Sequence, residues 1–151
     1  MRVAATLILP SGPVGQPAPP SRLAAISRAT PALDVTAAEF DAIFAVNARG
    51  TFLTAQAAGR RMRDAGRGCI VLVSSVAAEQ AWARESVYCA SKAAERAISE
   101  GLKIDLMGTA VRVTSVDPGM VETDFSRIRF RGDEDRAAKA DAAEVGFDHS
   151  R

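Results

Sequence analysis

Residues 69–92 read CIVLVSSVAAEQAWARESVYCASK, and two structural elements can be recognised in them. Cys69 to Val73 is a short, almost wholly apolar run, typical of a strand buried on both faces. From about Ser86 to Leu106, small and apolar residues recur at helical spacing, with Ala90, Ala93, Ala94, Ala97, Ile98 and Leu102 on one side. The sequence therefore predicts a buried strand followed by a long helix that packs closely through small residues.

The residues that precede this stretch predict another long helix. Thr36-Ala37-Ala38-Glu39 is a capping box, in which the threonine and glutamate side chains bind each other's backbone amides at a helix N-terminus. An apolar stripe runs from there to Gly66 and is interrupted by one polar residue, Asn47. We therefore expect a helix from Thr36 to Gly66.

The residues that follow the second helix predict a second strand. Gly108 ends the helix, Ala110 to Val116 reads as another buried strand, and Asp117-Pro118-Gly119 breaks it. The alternation of helices and strands predicts an α/β fold, an open parallel sheet with crossover helices. Ligands bind such sheets outside the carboxyl ends of the strands, where Ser74, Ser75, Pro118 and Gly119 are expected.

Flanking segments of different composition suggest a division into 1–32, 33–125 and 126–151. The first is a proline-rich linker or tail, and the last is charged, with weak helical character. Val3 to Leu9 with Gly12 and Gly15 imitates a strand and phosphate loop, but the prolines of 10–20 forbid the helix that such a loop must open. We therefore reject it as a cofactor motif.

Composition argues against several classes of function. Of the 151 residues, 48% are hydrophobic and 25% charged, and the net charge of +1 disfavours nucleic acid as a partner. No apolar run reaches the length of a membrane span, and a signal peptide at Val3 to Leu9 is disfavoured. The two cysteines lack disulfide or zinc spacing, which favours the cytoplasm. One histidine, His149, argues against a histidine triad, and we expect no metal site.

Four residues are candidates for acid/base chemistry. Lys92 lies one helical turn after Tyr88, and a nearby ammonium would lower the phenol's pKa towards neutrality. Ser75 ends a strand where its hydroxyl can hold the same substrate oxygen. Asn47 places an amide on an apolar stripe, where it needs hydrogen-bond partners. Taken singly, each also fits an ordinary role, as a surface pair, a turn serine or a structural asparagine.

Together these residues resemble the short-chain dehydrogenase/reductase family over about residues 33–125. The motifs that carry the resemblance are Phe44-Ala45-Val46-Asn47, Ile70-Val71-Leu72-Val73-Ser74-Ser75, Tyr88-Cys89-Ala90-Ser91-Lys92 and Asp117-Pro118-Gly119-Met120-Val121-Glu122-Thr123. The resemblance implies a Rossmann-like fold, NADP or NAD as cofactor and a small alcohol or carbonyl substrate. Residues 96–133 are also similar to the branch that acts on serine and other 3-hydroxy acids with NADP.

The resemblance also implies roles for the site residues. Tyr88 would be the general acid/base, and Ser75, favoured over Ser74 by the family's spacing, would position the substrate oxygen. Lys92 would lower the pKa of Tyr88 and bind the nicotinamide ribose, while Asn47 would hold a water for proton relay. The implied cofactor-binding residues are Tyr88, Lys92, Pro118, Gly119, Val121 and Thr123.

The chain departs from the family in its N-terminal part. The glycine-rich turn and the strand and helix units that precede the first helix in relatives are not found, and Arg22-Leu23-Ala24-Ala25 stands in place of Asn-Asn-Ala-Gly. Two hypotheses follow. The chain belongs to an NAD(P)-dependent oxidoreductase, or it is a truncated, non-catalytic remnant that associates with full-length relatives. In either case, the two long helices are expected to form a homo-oligomer interface.

Overall fold

A three-stranded sheet organises the protein in a computed structural model that describes residues 6–9 and 25–119. The strands are β1 (Thr6–Leu9), β2 (Gly68–Val73) and β3 (Val111–Val116), in the order β1-β2-β3. β2 and β3 are parallel, with Gly68 paired to Val111 and Val73 to Val116. The predicted α/β fold with parallel strands and a crossover helix is therefore confirmed.

Strand β1 was not predicted by the sequence analysis. It lies within the segment 1–32 that we interpreted as a linker, and it pairs antiparallel with β2, with Thr6 opposite Leu72 and Leu9 opposite Cys69. A parallel neighbour needs a crossover connection, whereas an antiparallel one has no such requirement. Among the described residues, β2 is thus the central strand.

The predicted first helix begins as expected and runs without a break to Asp64, but it is not regular. Helix α1 spans Ala37–Phe44, and the Thr36 hydroxyl accepts a hydrogen bond from the Glu39 backbone amide at 3.2 Å. A π-helical segment, Ala45–Gly50, follows and leads into α2, Thr51–Asp64. The prediction of one regular helix is therefore corrected: the π-helical segment rotates the face that follows it and places Asn47 in the interior.

The apolar core lies between α2 and the sheet. It is formed by Ala55, Met62, Ile70, Leu72 and Val111. The turn back into β2 uses Gly66 at a φ of 66°, which glycine adopts without strain. A Cβ on Gly68 would lie 2.4 Å from the Met62 side chain, so glycine allows the strand to pass close to the helix.

Burial on the strands and on helix α3 (Ser86–Asp105) differs from the prediction. β2 buries one face and half-buries the other, while alternate residues of β3 are exposed within the described part of the chain. On α3, the predicted packing residues Ile98 and Leu102 do pack against the apolar core, whereas Ala90, Ala93 and Ala97 are exposed. The buried face is instead largely polar and includes Ser91, Lys92, Glu95 and Ser99. Two short elements pack against this face of α3, the π-helical segment and one turn of 3₁₀-helix, Val76–Ala78. The polar face is therefore buried because of the elements that pack against it and not because of its hydrophobicity.

Candidate active site

The carboxyl ends of β2 and β3 bring the predicted site residues to one edge of the sheet. The Ser74 amide donates to the Val116 carbonyl at 2.8 Å, and the Val76 amide donates to the Pro118 carbonyl at 3.1 Å. Ser75 is therefore held beside Pro118. Among the described residues, no heavy atom lies within 4 Å of a Cβ built on Gly119. Val121 and Thr123 lie outside the described residues.

Ser75 and Ser74 have different roles at this edge. The Ser75 hydroxyl accepts a hydrogen bond from the Ala77 amide at 3.1 Å and caps the 3₁₀ turn, and its hydroxyl proton has no acceptor among the described residues. Ser74 donates to the Lys92 carbonyl at 3.1 Å and so joins β2 to α3. Ser74 therefore contributes to packing, whereas the hydroxyl proton of Ser75 is not used by the described residues.

Tyr88 and Lys92 share the buried face of α3. The Tyr88 ring is 8% exposed and packs with Ala77 and Cys89, with Trp82 against them. The Lys92 Nζ lies 5.8 Å from the centroid of the Tyr88 ring. The phenol and the ammonium are therefore close to each other, as the Tyr-x-x-x-Lys spacing predicts.

Glu95 completes this group and was not identified from the sequence. The Lys92 ammonium donates to both carboxylate oxygens of Glu95, at 3.1 and 3.0 Å, and the side chains of both residues are 1% exposed. The pKa of Glu95 is raised from 4.5 to about 7, mainly by burial. Lys92 acts in the opposite direction and lowers this pKa, and Asp117 contributes to raising it. The available signal was a carboxylate three residues after Lys92, which places it on the same face of the helix.

Asn47 joins three parts of the chain through its side-chain amide. Its Oδ1 accepts from the Ile26 backbone amide at 2.8 Å, and its Nδ2 donates to the Ile26 carbonyl and to the Ser91 hydroxyl, both at 2.9 Å. Ser91 in turn donates to the Tyr88 carbonyl at 2.7 Å. The buried amide is thus satisfied structurally, and its predicted role in holding a water stays a prediction.

A second buried carboxylate lies at the start of α3. The Ser27 hydroxyl donates to Glu85 at 2.5 Å, and Glu85 is 1% exposed. In residues 6–9 and 25–119 no group of three or more His, Cys, Asp or Glu side chains is arranged to hold a metal ion. The same part of the chain has no helix of the length and apolar character that crossing a membrane requires.

The raised pKa of Glu95 predicts how stability depends on pH. The Glu95 carboxyl stays protonated up to about pH 7 in the folded protein, whereas in the unfolded chain it loses its proton near pH 4.5. Between these two pH values the unfolded chain releases the proton first, so the free energy of unfolding falls as the pH rises. We expect a contribution on the order of 3 kcal/mol to the loss of unfolding free energy between pH 5 and pH 8. Urea unfolding at both pH values should show that Glu95→Gln removes this dependence, and that Glu100→Gln on the exposed face of α3 keeps it. An equal slope in wild type and Glu95→Gln would contradict the prediction.

With this geometry in place, the family of the chain can be stated. Residues 22–133 match the short chain dehydrogenase family, and the chain belongs to it. The match covers the helices α1 to α3, the strands β2 and β3 and all of the candidate site residues.

Several characterised proteins are similar to this chain. NADP-dependent 3-hydroxy acid dehydrogenase YdfG of Salmonella typhi is 37% identical over 110 residues, which are 72% of this chain and 44% of that protein. D-threitol dehydrogenase of Mycolicibacterium smegmatis is 36% identical over 116 residues, 77% of this chain and 45% of that protein. The chain thus spans less than half the length of these relatives.

Solved structures show the same partial coverage. The closed form of serine dehydrogenase complexed with NADP⁺ superposes with a TM-score of 0.72 at 33% identity, covering 76% of this chain and 47% of that one. A gluconate 5-dehydrogenase from Burkholderia cenocepacia J2315 in complex with NADP and tartrate has a TM-score of 0.67 at 31% identity, with 70% and 41% covered. These likenesses confirm the predicted Rossmann-like fold.

Proposed function

We propose that this chain supplies the catalytic half of an NAD(P)-dependent oxidoreductase that transfers hydride between nicotinamide and a small alcohol or carbonyl compound. The observation that carries the proposal is the Lys92 ammonium, buried 5.8 Å from the Tyr88 ring, beside the edge of the sheet where Ser75 keeps a hydroxyl proton. Similarity to dehydrogenases across these residues supports it and favours an oxidoreductase over a non-catalytic remnant.

Each residue has a distinct task in the proposed reaction. Ser75 donates a hydrogen bond to the substrate oxygen and fixes its position. Tyr88 gives a proton to that oxygen during reduction or accepts it during oxidation. Lys92 stabilises the phenolate form of Tyr88, and Asn47 holds the π-helical segment against α3 through Ser91. The nicotinamide supplies the hydride acceptor or donor, and the protein supplies position and charge.

NADP or NAD fits the described residues at its nicotinamide end. Lys92 would face the ribose, and Pro118 and the open position of Gly119 would border the nicotinamide. The described helix N-termini do not provide a pyrophosphate site: Glu39 lies in the first turn of α1, and Glu85 is buried at the start of α3. Carboxylates at these positions oppose a second anion. Relatives are named as binding NADP or NADH, so the choice between the two stays open.

For the substrate we propose a small 3-hydroxy acid. The supporting observations are the sequence similarity in residues 96–133 and the names of two similar proteins, a 3-hydroxy acid dehydrogenase and a serine dehydrogenase. A polyol is the second candidate, because D-threitol dehydrogenase is similar to this chain at nearly the same identity.

A chimera tests the proposed function. Residues 22–133 would replace the matching part of serine dehydrogenase, which then contributes the remaining part of that fold. We expect the chimera to reduce NADP⁺ in the presence of serine or another 3-hydroxy acid and to react more slowly with threitol. A well-folded chimera that binds NADP⁺ and reduces it with neither class of substrate would contradict the proposal.

We also propose that the two long helices form an interface between copies of this chain. Exposed apolar or small residues occur on both, namely Phe40, Phe52, Leu53, Ala90, Ala93, Ala97 and Gly101. Exposed apolar surface of this kind often marks a protein–protein interface. We expect sedimentation at micromolar concentration to show a dimer or larger species. Ala93→Glu on α3 should shift it to monomer, and Ala83→Glu, outside both helices, should not. A well-folded wild-type monomer would contradict this proposal.

The division of the chain and its location are proposals as well. We assign catalysis to residues 33–125, and the flanking segments 1–32 and 126–151 to supporting roles. Ala25 to Ser27 are nevertheless buried against the site, so the catalytic region needs the end of the first segment. A cytoplasmic location is supported by cysteines without disulfide spacing.

A further inference from the structure

The ion pair of Lys92 and Glu95 has an unusual position for two charged side chains. Lys92 and Glu95 are 1% and 0% exposed, and they lie on the face of α3 that packs into the protein. Burying an ion pair is costly unless the geometry is good and the remaining hydrogen-bonding groups are satisfied. Here the ammonium reaches both carboxylate oxygens, which offsets part of that cost, while burial still raises the pKa of Glu95 to about 7.

Lys92 contacts two parts of the chain in this arrangement. Besides Glu95, the ammonium donates to the Val73 carbonyl at the end of β2, at 3.5 Å. The contact to Val73 is at the upper limit of a hydrogen bond, so one of the three ammonium hydrogens stays available to a ligand. Glu95 therefore fixes where the Lys92 cation sits relative to β2 and Tyr88.

The ion pair of Lys92 and Glu95 also determines the electrostatic environment of Tyr88. With Nζ 5.8 Å from the ring centroid, an unpaired ammonium would strongly favour the phenolate. A carboxylate 3.0 Å from that ammonium offsets much of its field. Tyr88 is thus next to an ion pair and not next to a lone cation.

We propose that Glu95 is a positioning residue for the acid/base pair, which holds the Lys92 ammonium and moderates its effect on Tyr88. This inference rests on the proposed function, in which Tyr88 transfers the proton. It extends that function by one residue, because the acidity of the phenol then depends on Glu95 as well as on Lys92, on consecutive turns of α3.

The other groups around Glu95 fit this role. Glu95 faces Lys92 on its own helix. Burial, together with the negative charge of Asp117 in the segment after β3, raises the pKa of Glu95 to about 7. On the same face of α3, the π-helical segment presents Asn47 to Ser91 and β2 presents the Val73 carbonyl to Lys92, and neither group is charged. In the alkaline range where phenols titrate, Glu95 is therefore ionised.

The chain offers a direct measurement, because Tyr88 is its single tyrosine. Phenolate absorbance in the near ultraviolet, followed against pH on the full chain, gives the titration midpoint of Tyr88 without cofactor or substrate. We expect Glu95→Gln to lower this midpoint by about one pH unit, because the ammonium is no longer offset. Glu100→Gln is the matched control, since it removes the carboxylate of the exposed i,i+3 pair with Lys103 on the same helix, and it should leave the midpoint unchanged.

A conservative variant and a double variant complete the test. Glu95→Asp restores the charge and should return the midpoint most of the way to wild type. If Glu95→Gln does not fold, Lys92→Met combined with Glu95→Met replaces the pair by apolar side chains of similar volume. Offsetting charges predict a midpoint within about half a unit of wild type in this variant.

Two results would overturn the inference. One is an unchanged or higher midpoint in folded Glu95→Gln. The other is a rise of about a unit or more in the double variant, which would mean that Lys92 acts on Tyr88 without compensation. Neither result depends on turnover. An inactive chimera whose Tyr88 still responds to Glu95 would refute the proposed function and leave the positioning role intact.

Discussion

Tyr88→Phe is expected to lower kcat by at least about a hundredfold in any form of the protein that turns over, including the chimera with serine dehydrogenase. The substitution removes the phenolic proton and keeps the ring, which packs against Ala77 and Cys89. The fold should therefore survive while proton transfer to the substrate oxygen is lost.

Steady-state kinetics with a thermal unfolding control measures this effect. The expected pattern is a large fall in kcat, a KM for the cofactor within a few-fold of wild type, and a similar melting temperature. A folded Tyr88→Phe protein that keeps more than about one hundredth of the wild-type kcat would show that another group transfers the proton.

Lys92→Ala is expected to weaken cofactor binding about 10- to 100-fold and to move the pH profile of activity to higher pH. The first effect follows from loss of a charged hydrogen-bond donor to the ribose. The second follows because Tyr88 loses the neighbouring cation that favours the phenolate.

The control for this variant is Lys103→Ala, which removes an exposed lysine from the same helix. Its cofactor KM and pH profile should match wild type. Since Lys92→Ala leaves Glu95 buried without its partner, a folding check by circular dichroism precedes the kinetics. A pH optimum unchanged by Lys92→Ala would contradict the effect of the ammonium on Tyr88.

The predictions that were correct rest on local signals. The Thr36 cap, the strand β2 and the break at Gly108 are each set by a few neighbouring residues, and the parallel pairing of β2 and β3 follows from the helix between them. The placement of Lys92 beside Tyr88 follows in the same way from helical spacing. These features need no knowledge of distant contacts.

The features that were missed depend on distant contacts. The π-helical segment at Asn47 changes the helical period that a regular pattern assumes. The antiparallel pairing of β1 joins residues far apart in the chain. On α3, the alanines suggested an apolar packing face, but the partners are the Asn47 amide and the end of β2, which select Ser91, Lys92 and Glu95 instead. A polar interior of this kind cannot be inferred from hydrophobic periodicity.

The central claim is that the described residues of this chain carry the catalytic, nicotinamide end of the site and lack its pyrophosphate end. Fluorescence titration with NADPH and NADH, run in parallel on the 151-residue chain and on the chimera, tests it most directly. The account predicts saturable binding at micromolar concentrations by the chimera and none by the chain alone, because dinucleotide affinity depends on backbone amides of a glycine-rich turn at a helix N-terminus. Saturable micromolar binding by the 151-residue chain, or none by a folded chimera, would contradict it.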